Sequence, residues 1–147
     1  MPKLDLADIP SVCRTGYPPP FDAQMAGRWQ QRIAATIGLA HLGATRVVLK
    51  PGGWSSQRHW HEAEDELVVM LEGEAVLVED DGETLLRAGD ICVWPAGVAN
   101  GHCLQNRSSQ DCAFLAVSAG QNLGGSYSDI DMRWGPEGFT RKDGTPY

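Results

Sequence analysis

Long hydrophobic runs, clusters of basic residues and closely spaced cysteine pairs are all missing from this sequence. No stretch approaches the roughly 18 consecutive apolar residues of a membrane-spanning helix, so we expect no membrane partner. Lys and Arg number 12 against 19 Asp and Glu, a formal net charge of −7, which disfavours nucleic-acid binding because that function needs basic patches. The four cysteines lack CxxC spacing and are interpreted as reduced thiols. Because acids also stand in the N-terminal MPKLDLADIP where a signal peptide needs an apolar core, we expect a cytoplasmic protein.

Glycine and proline are abundant, and they separate short apolar segments. Seventeen glycines and nine prolines favour many turns, and therefore many short strands rather than long helices. The Asp81-Gly82 pair is the sharpest hairpin signal, because both residues tolerate the positive φ of tight turns. The run IGLAHLGA is interpreted as the first of the strands. The spacing predicts an all-β sandwich or barrel.

The composition divides the chain into three parts. Residues 1–30 contain three consecutive prolines and are predicted to form an N-terminal arm. Residues 31–119 carry the strand pattern and form the barrel, while residues 120–147 begin with the Gly-rich GQNLGGS and form a C-terminal extension that packs on the barrel. The strand ELVVMLEG is apolar on both faces, which favours a homodimer in which one face is covered by a second copy.

Two of the four histidines, His59 and His61, stand two residues apart in RHWHEAEDE. Since side chains alternate along a strand, both imidazoles project from one face and Trp60 from the other. A carboxylate from the acidic run that follows, brought back by a turn, can complete a set of nitrogen and oxygen ligands for a transition metal. His102 lies far enough along the chain to return beside them.

These residues resemble the first motif of the cupin superfamily, G-x5-H-x-H-x4-E-x6-G. Gly53, His59, His61, Glu66 and Gly73 meet every spacing of that motif. The wider sequence resembles small single-domain bacterial cupins that share SSQRHWHEAEDE and an ending like FTRxDGTPY. Members of that group are described as sugar-phosphate (mannose-6-phosphate) isomerase-like.

The second cupin motif, G-x5-P-x-G-x2-H-x3-N, is met only in part. Gly89, Pro95 and Gly97 fit, but Asn100 stands where the motif has histidine, and His102 follows two residues later. Because side chains alternate along a strand, His102 would point to the same face as Asn100, two residues earlier. A β-bulge at Gly101 could correct its position along the strand. We favour His102 as the fourth ligand because imidazole is the better donor, with Asn100 or water as the alternative.

The resemblance implies a double-stranded β-helix, the cupin jelly-roll barrel, and one divalent ion per chain. The ion would be held by His59, His61 and Glu66 with His102, and zinc, iron, manganese and nickel are all compatible with such ligands. Fold does not fix the reaction, because one fold hosts many chemistries.

Several residues are candidates for the surroundings of the metal. Gln57 shares the face of the histidines, so a position inside the cavity and an edge-strand position are equally supported. Met70 and Val68 share the parity of Glu66 and are expected in the cavity wall. His41 is interpreted as structural, although a strand there would allow it to line the cavity. No catalytic residue is assigned, and the candidates for a general base are water, Gln57, His41 or a tyrosine.

A phosphosugar substrate would also need a cationic clamp. Arg46 and Lys50 on TRVVLK are the best candidates, whereas Arg58 has the parity opposite to the histidines and is expected to point away. We therefore expect a small metalloenzyme acting on a hydroxycarbonyl or sugar-like substrate. The alternatives are a non-catalytic sensor of a small molecule, an iron-dependent dioxygenase, or a structural protein with a vestigial site.

Overall fold

The computed structural model describes residues 3–147, and these residues are almost entirely β-structure. A single short helix, α1 (Ile33–Ile37), is the α-helical part of the described chain. The strands are β1 (Ser11–Val12), β2 (Arg28–Arg32), β3 (Gly43–Leu49), β4 (His59–His61), β5 (Glu64–Glu72), β6 (Glu74–Glu79), β7 (Gly82–Arg87), β8 (Ile91–Trp94), β9 (Cys103–Gln105), β10 (Cys112–Gly120), β11 (Gly125–Tyr127), β12 (Arg133–Gly135) and β13 (Gly138–Thr140).

The strands form three antiparallel sheets. The six-stranded sheet has the order β1-β2-β3-β10-β5-β8, the four-stranded sheet β13-β12-β11-β4, and the three-stranded sheet β7-β6-β9. Half of the ten strand pairs in the described residues join strands that are not consecutive in the chain, as in a jelly roll. The prediction of an all-β jelly-roll fold is confirmed.

The core lies between the sheets and follows from alternation along the strands. On β5 the residues of even number turn inward, so Val68 and Met70 are 3% and 1% exposed, while Leu71 on the other face is 42% exposed. Leu49 from β3, Leu77 from β6 and other apolar side chains pack in the same cluster. Burial of these side chains is the main stabilising contribution.

Two local predictions have different outcomes. Glu79 pairs with Gly82 across a two-residue turn, so the predicted hairpin is present with Gly82 as the first residue of β7 and a φ of 124°. The prediction of a strand over IGLAHLGA is wrong for residues 37–42, while Gly43 and Ala44 lie in β3. Residues 33–37 form α1, and Gly38, with a φ of 77°, ends this helix in the left-handed conformation that glycine tolerates best.

Gly73 connects β5 to β6 and is constrained twice. Its φ is 68°, and a Cβ at this position would lie 2.7 Å from the Asp111 carbonyl oxygen. A larger residue would therefore force apart the chain where Cys112 begins β10. This explains physically why glycine stands at the end of the first motif.

Both ends of the chain contribute strands around the barrel. β2 begins at Arg28, within the range expected for the arm, and pairs with β3 at the side of the six-stranded sheet. β11 in the C-terminal extension pairs with β4, the strand that bears the two histidines, with Gly125 opposite His61. Among the described residues, no helix is long and apolar enough to cross a membrane.

Candidate metal centre

His59, His61 and Glu66 come together where β4 turns into β5. Each offers one ligand atom, and these atoms all lie within 4.8 Å of one another. The two imidazoles are neighbours on one face of β4, with ring centroids 5.1 Å apart. The Glu66 carboxylate is 15% exposed, and its Oε2 lies 3.3 Å from His61 Nε2. Three groups that bind transition metals are thus presented to one point.

His102 joins this cluster from directly before β9, where it forms an isolated β-bridge with His59. Its backbone exchanges hydrogen bonds of 3.2 and 2.9 Å with His59, and its Nε2 lies 2.9 Å from Glu66 Oε2. The imidazole stacks on Trp94 at a centroid distance of 3.8 Å and an interplanar angle of 11°. His102 lies outside the set whose ligand atoms are mutually within 4.8 Å, but it contacts the carboxylate of that set.

Asn100 faces a different part of the fold. Its amide nitrogen donates to Glu79 Oε1 at 3.1 Å, and its carbonyl oxygen accepts from the Asp80 backbone N–H. The structure therefore brings His102, and not Asn100, next to Glu66. Ligation by His102 stays a prediction.

The hydrogen-bond pattern of the histidines fits a cation at this position. His61 has a carboxylate oxygen at both ring nitrogens, Glu64 at 3.3 Å from Nδ1 and Glu66 at 3.3 Å from Nε2. A neutral imidazole has only one N–H, so one of these contacts pairs two acceptors unless a proton or a metal ion lies between them. His59 Nδ1 lies 3.0 Å from the Gln57 carbonyl, which only accepts, so its Nε2 carries the free lone pair.

The protonation states of His59 and Glu66 also fit a cation at this position. Burial, followed by the neighbouring His102, lowers the pKa of His59 to about 3, so its imidazole is neutral at physiological pH. Burial alone would raise the pKa of Glu66, but hydrogen bonds from His102 and His61 outweigh it and hold that pKa well below the usual range. The site therefore offers a neutral imidazole beside an ionised carboxylate, which are the protonation states that bind metals.

A cavity of ≈ 280 Å³ opens beside these groups and is lined by His59, His61, Glu66 and His102. A second cavity of ≈ 270 Å³ shares the two histidines of β4 and extends towards the C-terminal strands. The Trp134 ring covers the imidazoles edge-on, with its centroid 5.3 Å from that of His59 and 5.2 Å from that of His61. A small molecule could contact the imidazoles in either cavity.

The remaining candidates lie elsewhere. The Gln57 side chain is buried, but it donates to the Phe21 carbonyl and to Gln24, so it ties the N-terminal segment to the barrel and does not line the metal cavity. Met70 is in the core below the cavity, so the expectation that it forms the wall is wrong, whereas Val68 does line the cavity. His41 is exposed outside the metal cavity.

The expected cationic clamp is also wrong. Arg46 donates to Gln31 and Lys50 pairs with Asp111, both outside the cavity. They face outward because they share the face of β3 opposite to Val47 and Leu49. The prediction for Arg58 holds, since it points away to form an ion pair with Asp129.

Tyr17, Arg28 and Trp134 are among the residues that line these cavities and were missed in the sequence. They come from the N-terminal segment, β2 and β12, which are far from the motif in the chain. The segment RWQQR contains one apolar residue and four polar ones. It therefore lacks the regular apolar–polar alternation of a half-buried strand and resembles an exposed segment.

The fold and the histidine–carboxylate cluster define a small β-barrel protein with a candidate metal centre. The cupin domain model matches residues 45–118. The chain belongs to the cupin family, as the motif indicated.

Two solved structures and one curated protein are similar to this chain. A structure described as a sugar phosphate isomerase of the cupin superfamily, from Silicibacter pomeroyi, is 41% identical, with a TM-score of 0.92 over 99% of this chain and 96% of that one. The polyketide cyclase RemF from Streptomyces resistomycificus is 21% identical, with a TM-score of 0.69 over 88% of this chain and 87% of that one, and shows the fold alone. An oxalate-binding protein from Thermotoga maritima is 36% identical over 72 residues, which cover 49% of this chain and 57% of that protein.

Proposed function

We propose that this protein is a metal-dependent enzyme of the cupin family that acts on a small hydroxycarbonyl compound in an isomerase-like reaction. The observation that carries the proposal is the cluster of His59, His61 and Glu66, whose ligand atoms lie within 4.8 Å of one another beside a cavity of ≈ 280 Å³. The similarity over 99% of the chain to a structure described as a sugar phosphate isomerase supports the choice of reaction.

A divalent ion held by these residues would supply a Lewis acid for a carbonyl or hydroxyl oxygen. The chain's own groups prepare the site for it. Hydrogen bonding to the Gln57 carbonyl fixes the ring of His59, and stacking on Trp94 fixes that of His102. Trp134 shields the imidazoles from bulk water and so strengthens electrostatic interactions in the site.

Tyr17 is the tyrosine that lines both cavities next to the histidines. Burial raises its pKa, so the phenol stays protonated at neutral pH. Its role in the proposed reaction is therefore to hold or donate a proton to a substrate oxygen, and not to act as a base.

The proposal is tested by measuring metal content and turnover together. The full chain is loaded with zinc, iron, manganese or nickel in turn, and each form is incubated with a panel of hydroxyaldehydes and hydroxyketones under air and under argon. We expect about one ion per chain and isomerised product in both atmospheres. The His61→Ala variant should lose both, whereas His41→Ala, which removes an exposed histidine, should keep both.

Other outcomes would replace the proposal. Product that forms only under air would indicate an oxygen-dependent enzyme. Saturable binding without product would favour the sensor, to which the similarity to an oxalate-binding protein gives some support. Well under one ion per chain after loading would contradict a metal centre of any kind.

The expectation of a homodimer stays a prediction. It is motivated by β8, an edge strand of the six-stranded sheet, on which Ile91 and Val93 are 62% and 63% exposed beside the apolar outer face of β5. Sedimentation at micromolar concentration should give twice the mass of one chain. The monomer mass would contradict the prediction.

A further inference from the structure

The inner face of β2 carries an unusual set of polar side chains. Arg28, Gln30 and Arg32 alternate along the strand and all line the second cavity; Arg28 and Gln30 also line the first. Their register partners on β3 include Leu49 opposite Arg28 and Val47 opposite Gln30, which are core residues. A guanidinium is thus held where the neighbouring strand places apolar side chains.

Arg28 has few partners for its five N–H donors. Its Nη1 donates to the Ser55 carbonyl at 2.7 Å. Its Nε is buried and has no hydrogen-bond partner among residues 3–147. By contrast, Arg58 donates to two carboxylates, those of Asp80 and Asp129. A buried N–H without an acceptor costs free energy, so an acceptor from a ligand would be bound favourably.

The charges that line the cavities favour an anion as that ligand. In the first cavity the acidic residue is Glu66, whose carboxylate contacts His61 and His102 and would be neutralised further by a bound metal ion. Among the described residues, no Asp or Glu lines the second cavity, whereas Arg28 and Arg32 both do. A chain of net charge −7 therefore has a cavity whose outer part is cationic. Such a cavity attracts anionic small molecules and repels cationic ones.

Resting on the proposed function, we propose that Arg28 binds an oxyanion group, a carboxylate or a phosphate, of the hydroxycarbonyl substrate. The Nε edge of a guanidinium is shaped to donate two parallel hydrogen bonds to such a group. The hydroxycarbonyl end then lies towards His59 and His61, which line both of the cavities that Arg28 lines. The substrate is anionic, and Arg28 determines this specificity from the wall opposite the metal.

A purely structural role for Arg28 explains less. The bond to Ser55 needs one donor and no charge. Burial lowers the pKa of Arg28, which means that its environment disfavours the charged form. The Tyr17 and Tyr127 phenols nearby stay neutral at physiological pH, since burial raises the pKa of each. An anionic ligand would compensate the positive charge of Arg28, which the surrounding side chains leave uncompensated.

The test is titration calorimetry of the full chain with three probes: glycolate, inorganic phosphate and neutral dihydroxyacetone. Each is measured with the metal-loaded protein and after removal of metal by a chelator. We expect Arg28→Met to weaken binding of the better anion by about 10- to 100-fold, with dihydroxyacetone unchanged. Arg28→Lys should recover part of the lost affinity, because lysine keeps the positive charge but not the two parallel N–H donors of the guanidinium. Whether glycolate or inorganic phosphate binds more tightly shows whether Arg28 prefers a carboxylate or a phosphate group.

Arg46→Met is the matched control, since it removes an arginine from the neighbouring strand outside the cavity. It should leave anion binding unchanged. A second measurement needs no variant: phenylglyoxal labelling of Arg28 in the wild-type protein, mapped by peptide mass spectrometry, should be slowed by the bound anion. This readout remains valid if Arg28→Met does not fold.

The outcomes separate this inference from the proposed function. Anion binding that survives in Arg28→Met but is lost on removal of metal would overturn the inference, because the anion would then bind the metal alone. Absence of anion binding to the wild-type protein, or turnover of neutral substrates only, would overturn it as well. If the chain holds no metal but loses anion binding in Arg28→Met, the anion site stands and the proposed function fails.

Discussion

The cavity lies between two unlike walls. The metal wall consists of His59, His61, Glu66 and His102, whose polar groups contact one another at 2.9–3.3 Å or are held by backbone carbonyls. The arginine wall consists of Arg28, Gln30 and Arg32 on β2, and its buried Arg28 Nε has no partner in the described chain. In the two proposals above, the metal wall holds a cation and the arginine wall binds an anion. Chemistry and specificity are thus assigned to different parts of the chain.

The largest effect is expected from removing a ligand of the metal wall. His61→Ala should lower metal affinity by more than about 100-fold, since loss of even an outer partner of a metal ligand costs 10- to 100-fold. Arg28→Met should leave metal affinity unchanged. Equilibrium dialysis with zinc measures both, and equal losses in the two variants would show that the walls are not independent.

The fourth position of the metal wall gives the next largest effect. His102→Ala removes the group that contacts Glu66, so metal affinity should fall by about 10- to 100-fold. Asn100→Ala should leave it within about threefold of wild type, because that side chain binds Glu79 and the Asp80 backbone. A larger loss in Asn100→Ala than in His102→Ala would assign the position to Asn100.

The cover above both walls should affect stability more than metal binding. Trp134 packs on His59, His61 and Tyr127 while remaining half-buried. Trp134→Ala should lower the free energy of unfolding by about 1–3 kcal/mol, as expected for a partly buried aromatic residue. Urea unfolding measures this, with Trp29→Ala as a control on an exposed ring. Unchanged stability would show that the C-terminal strands do not close the site.

The smallest effect is expected at the ion pair between Arg58 and the exposed Asp129. Arg58 donates to Asp129 and holds the pKa of that carboxyl below its usual value. The ion pair therefore stabilises the fold at pH values above the pKa of Asp129 in the unfolded chain. This stabilisation is lost as the pH falls through the pKa of Asp129 in the folded protein. Because Asp129 is exposed, Asp129→Asn should cost less than about 1 kcal/mol at pH 7. The difference should shrink below about pH 4 in acid unfolding curves. A constant difference across pH would exclude this ion pair as its cause.

The comparison also shows what the sequence can reveal. The metal wall is local: His59, His61 and Glu66 lie within eight residues of each other. Strand periodicity places the two imidazoles on one face, and the resemblance to the first cupin motif singles out Glu66 from the acidic run. The structure places His102 next to Glu66, and its role as the fourth ligand stays a prediction. Local turn chemistry likewise predicted the β6–β7 hairpin.

The arginine wall is not local. It depends on β2 pairing with β3, with Arg28 opposite Leu49, which no short pattern specifies. A strand whose cavity-facing side chains are polar has the same sequence pattern as a strand whose side chains face water. RWQQR therefore resembled an exposed segment. The strand predicted over IGLAHLGA failed for a related reason: a short apolar run does not fix secondary structure, and residues 37–42 hold the last residue of α1, the left-handed Gly38 and an irregular segment before β3.

The most direct test of the central claim is anomalous X-ray scattering from crystals of the full chain grown with zinc, iron, manganese or nickel. We expect one strong peak per chain at about 2.0–2.3 Å from His59 Nε2, His61 Nε2 and a Glu66 oxygen. A peak at any other place, or none between these three side chains at saturating metal, would contradict the account.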